Sequence, residues 1–285
     1  CCAQSNQKLG TLARKLSPRY SWSDITLPPN ALAQLREICA QVKHRQTVYG
    51  EWGFEGKLSL GKGLCVLFYG TSGTGKTMAV EIIANALHLE AYKIDLSMVV
   101  SKYIGETEKN LSKIFQEAET SNAILFFDEA DALFGKRSEV KDAHDRYANI
   151  EINYLLQRME EFEGLVILAT NLRKNIDEAF FRRMHFAVEF PFPDESHRYQ
   201  IWKQHFPQAA PIADDIDFNF LANRFNITGG NIKNIVVNAA FLAVENAGVI
   251  SMEHLIRATK REYEKIGRMC TEIEFAPYHS LLKDF

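Results

Sequence analysis

An eight-residue stretch, Gly70–Thr77, has the composition of a loop that binds phosphate groups. It matches the pattern G-x-x-x-x-G-K-[ST] in full, follows an apolar strand candidate and precedes a helical pattern, which is the context that this motif requires. Glycines allow backbone N–H groups to turn inward around phosphate oxygens, and the helix N-terminus adds a positive dipole end. We expect Lys76 to reach the β- and γ-phosphates of a nucleotide and the Thr77 hydroxyl to bind Mg²⁺. The other residues expected to contact phosphate are Thr71, Ser72, Gly73, Thr74 and Gly75.

Two carboxylates, Asp128 and Glu129, directly follow the apolar segment Ile124–Phe127. A buried strand that ends in carboxylates presents them at the carboxyl edge of the sheet, where open α/β sheets bind their ligands. Asp128 is therefore a candidate Mg²⁺ ligand, and Glu129 is a candidate for activating an attacking water. Acidic residues at strand ends often only cap the next helix, but the phosphate loop upstream favours the catalytic interpretation.

Alternating strand and helix patterns predict how these residues are positioned. Several of the strand candidates are apolar throughout, which indicates burial on both faces and hence a parallel five-stranded sheet flanked by helices. The strand candidates are Leu64–Tyr69, Ala91–Asp95, Ala123–Phe127, Leu165–Thr170 and Phe186–Phe190. The helical patterns between them are Lys76–Leu87, Glu106–Thr120, Asn149–Phe162 and Asp177–Arg183.

After Pro191 the strand signal stops, and the remaining patterns are helical. The chain is therefore expected to have a large α/β nucleotide-binding domain over residues 23–191 and a small C-terminal all-helical lid domain over residues 192–270. Residues 1–22 are expected to form a linker, and residues 271–285 a tail. The helices expected in the lid are Glu195–His205, Asp217–Phe225, Gly230–Ala247 and Ser251–Lys265.

The composition is that of a folded protein without a membrane segment. The chain has 285 residues, of which 46 % are hydrophobic, enough for a substantial core, and its formal net charge is −3. No stretch approaches the roughly 18 apolar residues that a membrane helix needs. The mild acidity argues against general nucleic-acid binding. The five cysteines show no C-x-x-C spacing, so we expect reduced thiols in a cytoplasmic protein.

Four further segments, together with the phosphate loop, resemble an AAA+ ATPase module of the segregase and remodelling branch. They occur in the order of that family, and the resemblance covers about residues 22–268. The segments are Asp128–Phe134, Leu168–Asn171, Ile176–Arg183 and Thr228–Ile232. Two short stretches, His144–Asn149 and Phe180–Met184, also resemble bacterial stand-alone AAA+ ATPases, some of which are associated with contractile injection particles, and in that setting a domain upstream of Cys1 is expected.

The resemblance implies catalytic roles for three residues outside the loop and the acidic pair. The amide of Asn171, at the end of a strand, is expected to orient the attacking water or touch the γ-phosphate; as an alternative it is a polar turn residue. Arg182 and Arg183 resemble arginine fingers, which act in the active site of a neighbouring subunit, although as an alternative they are solvated arginines. His185 stands where a second arginine is common in the family, so the arginine pair is adjacent here.

The resemblance also implies residues that bind the nucleotide base and a protein substrate. Ile25, Gly229, Gly230 and His205 match positions around the nucleotide, although His205 is also consistent with a surface histidine. Tyr103 and Ile104, followed by Gly105, resemble a pore loop that grips an extended polypeptide; the alternative is that Tyr103 packs against its own domain. The charged stretch Lys136–Asn149 is either a solvated loop or a second pore loop.

The function that the resemblance implies is Mg²⁺-dependent ATP hydrolysis by a homo-oligomeric ring, expected to be a hexamer. ATP and Mg²⁺ are the expected cofactors, and hydrolysis is expected to drive threading or remodelling of a protein substrate. One alternative is a nucleotide-gated assembly factor with slow turnover. Another is a DNA-loading AAA+ ATPase. The net charge of −3 argues against nucleic acid as a partner, as does the absence of an arginine at the sensor 2 position of the family, in the helix that begins at Thr228–Ile232.

Overall fold

A computed structural model describes most of the chain and divides it into two compact units, each with its own buried core. The described residues are 13–57, 62–96, 106–131, 153–171, 178–246, 248–269 and 271–278. The first unit comprises Cys1–Ser23, Pro28–Thr71 and Lys76–Phe190, and the second comprises Asp24–Leu27, Ser72–Gly75 and Pro191–Phe285. Residues 72–75 of the phosphate loop thus group with the C-terminal unit. The limits expected for the large domain and for the lid remain predictions.

The first unit is built on a six-stranded sheet with the strand order β1-β3-β4-β5-β2-β6. Its strands are β1 (Ala13–Leu16), β2 (Leu64–Tyr69), β3 (Ala91–Asp95), β4 (Ile124–Asp128), β5 (Leu165–Thr170) and β6 (Phe186–Glu189). Strands β2 to β6 pair in parallel, and β1 pairs antiparallel with β3. The α/β class and the five predicted parallel strands are confirmed, and the sheet contains one strand more than predicted.

The additional strand, β1, lies within residues 1–22, for which the linker prediction is therefore wrong at Ala13–Leu16. Its register runs from Ala13 opposite Ile94 to Leu16 opposite Ala91. Only Ala13 is buried, and the Lys15 ammonium pairs with the carboxylate of Glu90 at 2.5 Å. Short, charged strands are typical of sheet edges, and four such residues carry too little apolar alternation to be recognised in the sequence.

The helices described in the first unit are α1 (Pro29–Gln46), α2 (Lys76–Leu87), α3 (Glu106–Ser121), α4 (residues 153–161) and α5 (Glu178–Phe181). A π-helical turn at Thr47–Glu51 and a 3-10 turn at Phe54–Lys57 follow α1. The buried face of α3 has helical spacing, and its Phe115 ring lies 6.1 Å from the Phe127 ring of β4 and 5.4 Å from the Phe162 ring. These contacts fix α3 and the end of α4 on the sheet.

Strands β2 and β5, at the centre of the sheet, are buried along their whole length. Burial of every side chain along a strand means that both faces of the sheet are covered, as in other parallel α/β sheets. Helix α2 packs against β3, β4 and β5, and α1 packs against α2 and β6. Side chains that can do chemistry are thus expected where β2, β4 and β5 end. The carboxyl ends of these parallel strands meet at one edge of the sheet.

The second unit contains the helices α6 (Glu195–Gln204), α7 (Phe218–Arg224), α8 (Gly229–Glu245), α9 (Met252–Lys265) and α10 (Glu272–Phe275). The predicted helical C-terminal region is therefore confirmed. Its core includes fully buried aromatic side chains from four of these elements or their ends, namely Trp202, Phe225, Tyr263 and Phe275. Among the helices that the structure describes, none combines the length and the apolar character that crossing a membrane requires.

Helix α10 lies within residues 271–285, for which a tail was expected, and that prediction is wrong for the part that the structure describes. The side chain of Phe275 is fully buried, with its ring 5.1 Å from the Phe225 ring and 5.9 Å from the Tyr263 ring. The Arg268 guanidinium pairs with the carboxylate of Glu274 at 2.7 Å and so links α10 to the end of α9. A single anchoring aromatic on a four-residue helix gives no periodic signal in the sequence.

We therefore predict that Phe275→Ala lowers the free energy of unfolding of the second unit by about 3–5 kcal/mol, because it removes a fully buried ring and leaves a cavity. The matched control is Ile273→Ala on the same helix, where 76 % of the side chain is exposed and the change should stay within about 0.5 kcal/mol. Urea denaturation followed by tryptophan fluorescence and circular dichroism measures both. Equal midpoints for the two variants would contradict the assignment of α10 to the core.

Candidate active site

The phosphate loop joins the end of β2 to the start of α2, and two of its glycines are required by its geometry. Gly70 has φ +143°, and a Cβ added there would lie 2.0 Å from the carbonyl oxygen of Phe190. Gly73 has φ +78°, and a Cβ there would lie 2.6 Å from Oγ1 of Thr228. Any other residue would clash with backbone at the first position and be strained at the second. The glycines of the motif thus fix a loop conformation in addition to exposing backbone N–H groups.

Lys76, the first residue of α2, is a buried cation with a full set of acceptors. Its side chain is 8 % exposed, and its Nζ donates to the carbonyl oxygens of Gly70 at 2.6 Å and Thr71 at 3.0 Å and to Oδ1 of Asn171 at 2.9 Å. Burial lowers the pKa of Lys76, and the negative charges of Asp128 and Asp131 oppose that shift. The ammonium therefore joins the phosphate loop to the end of β5.

Asp131 fixes the end of β5, and it is a site residue that the sequence analysis did not identify. Its carboxylate accepts a short hydrogen bond from Oγ1 of the fully buried Thr170 and another, at 3.1 Å, from the backbone N–H of Asn171. These bonds hold the Asn171 backbone while its Oδ1 accepts from Lys76. The sequence contained a signal for this residue, since Asp131 follows Asp128 by three positions in the same acidic motif. Only the first two acidic residues of that motif, Asp128 and Glu129, were assigned a role.

Asp128 ends β4 at the same carboxyl edge. Its Oδ2 lies 2.5 Å from Nζ of Lys93 on β3, and its Oδ1 accepts from the backbone N–H of Glu129 at 3.0 Å. Glu129 itself has φ +52°, which is uncommon outside glycine, and its side chain is exposed. Strained backbone of this kind clusters at functional sites, and here it turns the chain sharply after the strand while leaving the Glu129 carboxylate accessible to water.

The donor set fits the predicted magnesium ion. The hydroxyl of Thr77 and the carboxylate of Asp128 are the hard oxygen donors that Mg²⁺ prefers. Among the residues that the structure describes, no group of three or more His, Cys, Asp or Glu side chains could hold a metal alone. A magnesium ion at these two residues therefore needs oxygens from phosphate groups and water, which is its usual manner of binding in nucleotide sites.

In the second unit, the N-terminus of α8 contacts residues 72–75 of the phosphate loop. The backbone N–H of Gly230 donates to the carbonyl oxygen of Gly73 at 2.9 Å, and a Cβ at Gly229 would lie 3.5 Å from the same oxygen. The side chain of Ile25 is buried, and its Cδ1 lies 3.8 Å from the position of a Cβ at Gly75. The structure thus brings together five of the residues that the sequence analysis assigned to nucleotide binding.

A buried network holds this helix terminus. Thr228 and Asn231 form a capping box, in which the Asn231 Oδ1 accepts from the Thr228 N–H at 3.2 Å and from its hydroxyl at 2.7 Å. The Nδ2 of Asn231 donates at 2.9 Å to the carboxylate of Glu262, a residue that is only 2 % exposed. Asn231 is therefore held from both ends of its amide, and the N-terminus of α8 is fixed beside Gly73.

His205, at the end of α6, has Nδ1 2.8 Å from the carbonyl oxygen of Ile201, so the proton of the neutral ring lies on Nδ1. Burial lowers the pKa of His205, and the charge of Lys233 acts in the same direction, so the ring is neutral at pH 7. The neighbouring Gln204 accepts from the hydroxyl of Thr26 at 2.8 Å, which ties the Ile25 segment to α6. A contact of His205 with the nucleotide remains a prediction.

Arg182 and Arg183 follow α5, and both side chains are exposed. Arg183 Nε donates to the Glu160 carboxylate at 2.6 Å within the same chain. His185 accepts at Nδ1 from the backbone N–H of Cys65 at 3.1 Å, and so it links the start of β6 to β2. This histidine therefore has a structural contact within the sheet. Fingers that act on a neighbouring subunit remain a prediction.

Some predicted residues lie outside the described part of the chain. They are the pore-loop pair Tyr103 and Ile104 and the charged stretch Lys136–Asn149.

Comparison with known proteins identifies the class to which this site belongs. Residues 66–193 match the family model described as "ATPase family associated with various cellular activities (AAA)". The match contains the phosphate loop, the acidic pair, Asn171 and both arginines. Residues 66–193 are therefore similar to an AAA ATPase domain, which confirms the AAA+ resemblance seen in the sequence, while the likeness to ATPases of contractile injection particles stays a prediction.

Several curated proteins are similar to the chain beyond that domain. It is 30 % identical over 272 residues to the proteasome-activating nucleotidase of Methanopyrus kandleri, an alignment that covers 92 % of this chain and 61 % of the relative. It is 32 % identical over 212 residues to the 26S proteasome subunit RPT4 of Saccharomyces cerevisiae, covering 70 % of this chain and 47 % of the relative. It is 29 % identical over 240 residues to the cell division cycle protein 48 homolog of Archaeoglobus fulgidus, an alignment that covers 77 % of this chain and 32 % of the relative. The chain thus spans about three-fifths or less of these relatives.

We predict that Asp131→Ala slows ATP hydrolysis by about 10–100-fold, the range expected when a residue that supports a functional group is lost. Thr170 and Asn171 would lose their shared acceptor, while the loop and Lys76 remain in place. Equilibrium binding of a fluorescent ATP analogue should change by less than about threefold, because Asp131 contacts Asn171 and not the loop. Asp131→Asn, which keeps one acceptor oxygen, should fall between the alanine variant and the wild type. Hydrolysis at the wild-type rate in Asp131→Ala would contradict the positioning role.

Proposed function

We propose that this chain hydrolyses ATP in a Mg²⁺-dependent reaction at the carboxyl edge of the sheet. The observation that carries the proposal is the buried ammonium of Lys76, which is held by the phosphate loop and by Asn171 at the ends of two paired strands. This ammonium has hydrogen-bond acceptors even when no phosphate is bound, and it lies where the β- and γ-phosphates of a bound nucleotide are expected. The AAA ATPase match over residues 66–193 supports the same reaction.

Each residue of the cluster has a role in this reaction. Lys76 exchanges carbonyl oxygens for phosphate oxygens, and the loop N–H groups bind the remaining phosphate charge. Thr77 and Asp128 would hold Mg²⁺, which neutralises negative charge on the phosphates when it is bound. The exposed carboxylate of Glu129 accepts a proton from the attacking water, and the amide of Asn171 orients that water or the γ-phosphate.

We further propose that the active site is completed by a second copy of the chain in a ring, with a hexamer as the expected form. The exposed positions of Arg182 and Arg183 after α5 support this proposal, because both residues lie at the surface of the protomer. An arginine that stabilises charge at the γ-phosphate contributes about 10³–10⁵-fold to the rate where it has been measured. The Arg183–Glu160 pair would have to open for Arg183 to act, and it is an exposed pair that costs little to break.

The proposed work of the ring is threading or remodelling of a protein. This part of the proposal rests on similarity to proteins whose names refer to the proteasome and on the sequence of the aromatic Tyr103 and the aliphatic Ile104. Tyr103→Ala should leave ATP hydrolysis within about twofold of the wild type and abolish unfolding of a tagged reporter protein. A nucleotide-gated assembly factor would instead show slow steady-state turnover and no dependence on Tyr103.

Subunit mixing tests the shared active site. Lys76→Ala and Arg182→Ala/Arg183→Ala subunits should each be inactive, but a mixture should recover part of the wild-type ATPase rate, because Lys76→Ala subunits supply intact fingers to the sites of the other variant. The matched control is a mixture of Lys76→Ala and Glu129→Gln. Both substitutions lie in the subunit that binds the nucleotide. A neighbouring subunit cannot compensate for either of them, so the sites of both variants stay defective. Recovery in the control, or none in the first mixture at any ratio, would contradict the proposal. Single arginine variants in the same assay assign the main finger.

A further inference from the structure

The Lys93–Asp128 ion pair places a second lysine at the predicted metal ligand. Nζ of Lys93 lies 2.5 Å from Oδ2 of Asp128, on the neighbouring parallel strand. The side chain of Asp128 is 18 % exposed and that of Lys93 is 35 % exposed, so the carboxylate is largely buried and the ammonium is within reach of water. Lys93 is the only charged residue within the otherwise apolar and aromatic first four positions of β3.

The register of β3 and β4 shows why a cation is needed there. Asp95 lies directly opposite Asp128 in the ladder, and Lys93 lies opposite Phe126. Side chains two residues apart on a strand share a face, so Lys93, Asp95 and Asp128 all belong to one face at the carboxyl end of the sheet. Two like charges directly opposite each other on neighbouring strands destabilise the pair, and a lysine on the diagonal offsets that repulsion.

Lys76 is not placed to supply this charge. Its ammonium already donates to three oxygen atoms, none of which belongs to Asp128. Asp128 therefore has Lys93 as its direct ionic partner in this structure, while Lys76 acts on Asp128 only through the electrostatic field.

We propose that Lys93 is a resident counter-ion of Asp128 which Mg²⁺ must displace, so that Lys93 sets the Mg²⁺ concentration at which the site is loaded. The inference rests on the proposed function, because it takes Asp128 as a magnesium ligand. A lysine suits this role since its ammonium is a compact charge on a flexible stem, which can withdraw into solvent when a divalent ion arrives. An arginine fixed by several bonds would exchange less readily. Without nucleotide, the pair keeps Asp128 in place and neutralised.

Replacement of the charge tests the competition. In Lys93→Met, the Mg²⁺ concentration that half-saturates binding of fluorescent mant-ADP should fall by about 3–5-fold, the upper part of the range expected for loss of a partly exposed ion pair. Lys93→Arg keeps the charge, so its Mg²⁺ requirement should not fall below that of the wild type. The matched control is Lys15→Met, which removes a lysine–carboxylate pair of the same length from the other end of β3 and should leave the Mg²⁺ requirement unchanged.

A second readout needs no nucleotide. Millimolar Mg²⁺ alone should raise the thermal midpoint of Lys93→Met by more than that of the wild type, because Asp95 and Asp128 then face each other without their lysine. Adding Asp95→Asn to Lys93→Met should reduce this extra stabilisation, since one of the two like charges is removed. This measurement also shows whether the variant is folded.

The outcomes separate the two proposals. An unchanged or higher Mg²⁺ requirement in Lys93→Met, together with weaker mant-ADP binding in EDTA, would mean that Lys93 binds phosphate instead, and it would overturn the counter-ion role while leaving the proposed function intact. Failure of the wild-type chain to bind mant-ADP in a Mg²⁺-dependent manner would overturn the proposed function itself.

Discussion

The buried ammonium of Lys76 is the constraint on which the rest of the site depends. A charged group removed from water is stable only where its donors all find acceptors, and here the three acceptors come from two places in the chain. Two are carbonyl oxygens of the phosphate loop after β2, and one is the Asn171 side chain after β5. Because β2 and β5 are paired in parallel, these groups can meet only at the carboxyl edge of the sheet. The need to satisfy one cation thus fixes the loop and the end of β5 relative to each other.

The same edge concentrates opposite charges in a small region. Asp128 and Asp131 act on Lys76 through space, Asp131 holds the strand end that carries Asn171, and Lys93 pairs with Asp128. This arrangement keeps each carboxylate in a defined position before any nucleotide is bound. It also supplies cations that can exchange partners when phosphate and a divalent ion enter. Preorganised charges of this kind are the main means by which phosphoryl-transfer sites lower their barriers.

Much of this arrangement was accessible from the sequence. The strands that are apolar throughout, such as Leu64–Tyr69 and Leu165–Thr170, predicted a covered parallel sheet, and the motif around Lys76 predicted the phosphate loop. Both predictions follow from residues that are close together in the sequence. The placement of Asn171 at the same edge as the phosphate loop is consistent with strand ends that share an edge, which is a property of every parallel sheet, whereas its bond to Lys76 was not predicted.

Other features depend on pairings between distant residues, and no local pattern shows them. The Lys93–Asp128 pair requires the register of β3 against β4, and the use of His185 as an acceptor requires the position of Cys65. Strand β1 and helix α10 were missed because four residues are too few for a periodic signal. Each is fixed by one or two tertiary contacts, the Lys15–Glu90 pair in one case and the ring of Phe275 in the other.

The central claim is that Lys76 binds the nucleotide and that Glu129 is needed only for the chemical step. Equilibrium binding and hydrolysis of ATP, measured side by side in Mg²⁺ for Lys76→Met and Glu129→Gln, test it most directly. We predict that Lys76→Met loses at least about tenfold in ATP affinity, because a charge-assisted contact to phosphate is lost. Glu129→Gln should bind ATP within about threefold of the wild type and hydrolyse it at least about 100-fold more slowly. Wild-type affinity in Lys76→Met, or wild-type hydrolysis in Glu129→Gln, would contradict the account.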